Sequence, residues 1–236
     1  MDEAKKRDFI GRISRALGRE AIPDYVAPFD MSHGPQADMY DDLTQDQVVA
    51  MFKTECEKVG THYIETTKDQ LGQVLLDEIE KRGGGKVIYP NSDEVREYNL
   101  EELFAKEPAD KATFIKWDAS KGRDANINAS QDAEIGITFP VMGIAETATV
   151  VQPSTEESGR SIGLLPITHI AVLHTDTIVP RMTQSMAALS EVYKEDPSSF
   201  PTNIVHISGP SNTADIELVR VVGVHGPINV TFILVD

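Results

Sequence analysis

Apolar residues recur along this chain with two spacings, and the change from one to the other organises the sequence. Between Ala4 and Leu17, the residues Phe9, Ile10, Ile13 and Leu17 share one face at helical spacing, with Lys and Arg opposite. Pro23, Pro28, Gly34 and Pro35 then interrupt any period, so residues 18–42 read as an irregular arm. A second helix is predicted from Thr44. Thr44 and Gln47 have the spacing of a capping box, and Val48, Phe52, Cys56 and Val59 form the stripe behind it.

After Gly60 the pattern becomes short apolar runs alternating with amphipathic stretches. Strands are predicted at 62–65, 86–89, 113–117, 135–139, 148–151, 170–173, 203–207 and 230–235. One helix follows Thr67, where Thr67 and Gln70 repeat the capping-box spacing, and Gly83-Gly84-Gly85 closes it. Another follows Pro180, with Met182, Met186 and Leu189 on its face. Such alternation implies an α/β sheet covered by helices on both faces. The expected division is a helical arm and linker over 1–59 and an α/β domain over 60–236.

Composition narrows what the fold can serve. The 236 residues carry 22 basic and 38 acidic side chains, and 22 − 38 gives −16. That charge excludes a bulk grip on nucleic acid, which needs Lys and Arg in excess. No apolar run approaches the ~18 residues of a membrane span. The N-terminal stretch lacks the apolar core of a secretory signal, and one cysteine, Cys56, cannot form an internal disulfide; both fit a cytoplasmic protein. At its stripe position Cys56 reads as a core residue. One thiol cannot hold an iron–sulfur cluster, and no zinc-type ligand spacing occurs, so no metal site is expected in this chain.

Three stretches look unlike scaffold. In Ile144–Val150, Glu146, Thr147 and Thr149 stand between apolar strand-like residues; they can bind a hydroxylated or carbonyl ligand, or decorate a hairpin, since Thr favours strands. In 152–169, Arg160 sits between Gly159 and Ser161. Residues 134–236 hold four cations, Arg160, Arg181, Lys194 and Arg220, against eleven anions. Arg160 and Ser161 therefore read as a clamp for a small carboxylate or phosphate, the alternative being a structural ion pair. His169 reads as an edge-strand histidine bonded within the fold.

The third stretch, Ser208–Glu217, follows a predicted strand, and ligands collect beyond the carboxyl ends of strands in open α/β sheets. Ser208, Gly209 and Ser211 can offer hydroxyls and backbone N–H groups to an anion; Asp215 can cap or orient, and a buried Glu217 could move a proton. Farther on, Gly223–Pro227 holds His225 at a turn. Glu146 and His225 are the candidate catalytic acid–base groups.

IAETATV (144–150), SGRSIGLLPITHIAV (158–172) and ISGPSNTADIELVRVVGVHGP (207–227) together resemble the lactate utilisation protein C family of LUD-domain proteins. The resemblance covers essentially the whole chain. It implies a Rossmann-like α/β/α sandwich like the ribose-5-phosphate isomerase and CoA-transferase superfamily. It also implies a part in oxidising L-lactate to pyruvate beside two iron–sulfur partner proteins, which would carry the clusters. The family usually has Gly after the Glu-Thr pair, where this chain has Ala148, so any need for a positive φ falls on an alanine. Two alternatives stay open: a non-catalytic assembly module for those partners, or an independent enzyme acting on a sugar phosphate or acyl-CoA. A homo-oligomer is compatible with each.

Overall fold

The computed structural model describes residues 2–25, 27, 34, 39–213 and 221–236. By its contacts the chain separates into two units, Met1–Asp41 and Asp42–Asp236. The first contains α1 (Glu3–Ala16), which starts where the Asp2 carboxylate accepts from the Ala4 N–H. The Ser14 hydroxyl donates to the Ala21 carbonyl at 2.7 Å, so the chain after the helix folds back over Gly11 and Ser14.

The second unit opens with α2 (Gln45–Val59), whose capping box is closed in both directions between Thr44 and Gln47. Val48, Phe52 and Cys56 are buried against the sheet described next, so α2 belongs to this core. The division therefore falls at Asp41/Asp42, ahead of the expected one after residue 59.

Next in chain order come β1 (His62–Thr66), α3 (Leu71–Lys81), β2 (Gly85–Tyr89), α4 (Asp93–Glu97), α5 (Leu100–Phe104), β3 (Ala112–Lys116), α6 (Arg123–Gln131) and β4 (Ile135–Thr138). They are followed by β5 (Met142–Ile144), β6 (Thr149–Pro153), α7 (Ser161–Leu164), β7 (Thr168–His174), β8 (Ile178–Val179) and α8 (Met182–Glu195). Last are β9 (Ile204–Ile207), β10 (Asn212–Thr213), β11 (Val221–Val222) and β12 (Asn229–Val235).

Six strands make an all-parallel sheet in the order β1-β12-β7-β4-β2-β3. From β2 the chain goes outward to β3 and then back past it to β4, so the topological switch lies between β2 and β4. Alternation divides the side chains between two cores. Ile170, Val172, Ile233 and Val235 meet α3, α4 and α5 on one face. Ala171, Leu173, Phe232 and Leu234 meet α2 and a second sheet on the other, where Ile88 also packs with Ile162 of α7. The result is a Rossmann-like α/β/α sandwich with an inserted sheet.

That second sheet, β8-β5-β6-β9, is where the observed fold differs most from the expected one. β6 pairs antiparallel with β5 and with β9, so the strand near 203–207 is not part of the parallel sheet. At Thr67 the capping box does not form: α3 starts at Leu71, and the Thr67 carbonyl takes the N–H groups of Gln70 and Leu71 instead. Gly83, Gly84 and Gly85, all at positive φ, end α3 as expected.

Candidate functional site

The switch point places a loop over the carboxyl ends of the parallel strands. Residues 154–160 cross there, tied down by two carbonyls. The Asn91 N–H, just past β2, donates to Glu157 O at 3.0 Å, and Trp117 Nε1, just past β3, donates to Glu156 O at 3.0 Å. Within the loop the Ser158 N–H donates to Thr155 Oγ1 at 3.0 Å. Gly159 lies against the indole face so closely that a Cβ would stand 2.1 Å from Trp117 Cη2. Only glycine fits there.

Arg160 comes next, exposed, and forms no ion pair with any described residue. An exposed guanidinium of this kind has the donor geometry that matches a carboxylate or phosphate. Ser161 is buried instead, its Oγ 3.0 Å from Ser130 Oγ, where it joins α7 to α6. Ser92, next to Asn91, buries a hydroxyl oxygen without a partner. Sequence reasoning passed over Asn91, Ser92 and Trp117. The Pro-Asn-Ser turn after a predicted strand was the available signal.

A second cluster forms where β6 meets β9. Thr149 Oγ1 is 2.7 Å from Thr147 Oγ1 and 2.5 Å from Ser208 Oγ. Thr149 is buried while Thr147 and Ser208 are exposed, giving a row of three hydroxyls open at both ends. Glu146 is engaged nearby: its carboxylate accepts from Arg181 Nε at 2.8 Å and its N–H donates to Pro180 O. A carboxylate held by a guanidinium is a positioned anion rather than a free base. Ala148 closes the turn at φ 45, ψ 47, in the left-handed region.

The third group lies at the opposite end of the parallel sheet. A Cβ on Gly209 would fall 2.7 Å from Thr61 Oγ1, just before β1. The Ser211 N–H donates to Pro227 O at 2.9 Å, just before β12. His225 is exposed beside a depression of about 390 Å³ whose walls include Leu164, Leu165, Ile167 and Ile228. Asp215, Glu217 and Arg220 lie outside the described residues.

Ser208, Gly209 and Ser211 follow β9, which belongs to the antiparallel sheet, so this loop approaches the amino ends of β1 and β12, whereas residues 154–160 are tied to the segments just past the carboxyl ends of β2 and β3. Ser211 comes near the end of α7, since a Cβ on Gly226 would lie 3.2 Å from Ser211 Cβ and 3.7 Å from Leu164 O. Thr147, Thr149 and Ser208 do come together; His225 packs around the end of α7 away from Arg160.

The LUD domain family matches residues 49–235. "Lactate utilization protein C" from Bacillus licheniformis is 40% identical over 98% of this chain and 96% of its own length. The protein of that name from Bacillus subtilis is 38% identical over 98% of this chain and 96% of its own. The chain belongs to the LUD-domain family. A DUF162 family protein from Deinococcus radiodurans superposes with a TM-score of 0.56 at 20% identity, covering 82% of this chain and 99% of that one, which supports the shared fold.

In this LUD domain the remaining titratable candidates are structural. His169 is fully buried in β7, a central rather than an edge strand, with Nε2 2.7 Å from Thr138 Oγ1. Burial pushes its pKa down to about 4, so it is neutral at pH 7. Its Nδ1 has no partner. His174, five residues on, faces the other side and lies 2.6 Å from the Tyr98 hydroxyl. Cys56 is buried, and that burial pushes its thiol up to about 12. Among the described residues no group of three or more His, Cys, Asp or Glu side chains could hold a metal ion.

Proposed function

We propose that this LUD-domain chain works in lactate utilisation as a cluster-free subunit, beside two iron–sulfur proteins, in the oxidation of L-lactate to pyruvate. The observation that carries the reading is the similarity, over 98% of the chain, to proteins named lactate utilization protein C. Oxidation of a 2-hydroxy acid releases two electrons. One cysteine, buried in α2, gives this chain no thiolate set for a cluster, so electron acceptance is assigned to the partners.

The chain's own contribution on this reading is to bind a small carboxylate. Arg160 would grip it with two parallel N–H donors, against the loop fixed by Asn91 and Trp117. Thr147, Thr149 and Ser208 form a separate hydroxyl row, available to a second polar ligand or to a partner's backbone. A second reading, a non-catalytic assembly module, is favoured by the dispersal of the candidate groups and by the engagement of Glu146 with Arg181.

Anaerobic co-expression with the two iron–sulfur proteins, followed by an L-lactate oxidation assay with and without this chain, tests the proposal. Oxidation that needs this chain and falls at least tenfold with Arg160→Ala supports the subunit and its clamp. Full oxidation by the partners alone, with this chain needed only during their assembly, establishes the module instead.

A further inference from the structure

We draw no further inference here: the strongest candidate, the apolar groove of about 1010 Å³ between α8 and the outer side of the antiparallel sheet, has Glu156 as the one charged residue among those described on its walls, and nothing in the structure shows what covers it.

Discussion

Adding one methyl group at Gly159 should move the loop that presents Arg160. The Cβ of Gly159→Ala would lie 2.1 Å from Trp117 Cη2 and 2.3 Å from Cζ2. Unstrained carbon contacts begin near ~3.5 Å, so loop or ring must yield by about 3.5 − 2.1, roughly 1.4 Å. A shift of that size breaks the 3.0 Å bonds from Trp117 Nε1 to Glu156 O and from the Asn91 N–H to Glu157 O. Each is worth about 0.5–1.5 kcal/mol net, so the variant should lose about 1–3 kcal/mol. Trp117 is the sole tryptophan of the chain, so its emission reports the displacement directly. Urea unfolding followed at that tryptophan gives the stability, and titration with L-lactate or pyruvate gives binding at Arg160. Stability within ~0.5 kcal/mol of the parent, together with an unchanged emission maximum, would refute the packing argument. A displaced loop with undiminished binding would remove Arg160 from the site.

Three further outcomes follow from the same structure. At Ala148 the left-handed backbone costs an alanine roughly 1–2 kcal/mol, while its buried methyl returns about 0.8 kcal/mol and the stiffer unfolded chain about 0.4–1 kcal/mol. Ala148→Gly should therefore change the urea midpoint little, whereas β-branched Ala148→Val should destabilise by about 3 kcal/mol or more through added strain and overpacking. Glu78 is almost wholly buried; desolvation raises its pKa, but hydrogen bonds from Thr231 and Arg82 at 2.7 Å outweigh it and hold the carboxyl below its ordinary value. Its stabilisation is complete above the unfolded carboxyl's pKa and is lost as pH falls through the folded one. His169, depressed from 6.5 to about 4, already erodes stability as pH falls from 6.5 towards 4. Arg82→Met should cost about 3–5 kcal/mol at pH 7 by stranding Glu78, and a loss under ~1 kcal/mol in urea unfolding would show that Lys81 suffices. Finally, Cys56 should resist thiol reagents at pH 8 until the chain is unfolded, as a timed labelling experiment with and without urea would show.

Much of the fold was legible because its signals are local. The apolar runs at 86–89, 135–139 and 230–235 are strands in the sheet interior, where both faces are covered and alternation disappears. The Thr44 capping box and the burial of Cys56 needed only spacing. The Thr67 box failed because the same residue pair has another local option, a turn that feeds the helix through its carbonyl. The inserted sheet was not legible. Its strands are two to five residues long, and their apolar runs look the same whether the partner is parallel or antiparallel. The candidate site suffered for this. Arg160 can be singled out from charge alone, but its neighbours Asn91 and Trp117 arrive from distant segments. The bond between Thr149 and Ser208 spans 59 positions. A strand's end says where a ligand can sit only once its sheet is known.

The position of β12 bears on how the chain comes into being. This strand is the last in chain order, yet it lies between β1 and β7, pairing with both. Synthesis from Thr66 to Asn229 covers 229 − 66 residues, about 8–30 s at roughly 5–20 residues per second. Through that interval β1 has no neighbour in the sheet, and once His174 is made β7 has an unpaired edge of the kind that templates aggregation. Clipping the chain ahead of Asn229 would recreate the same state in a finished molecule. The newborn protein therefore carries that open edge until β12 has left the ribosome, and holding it apart is work for a chaperone.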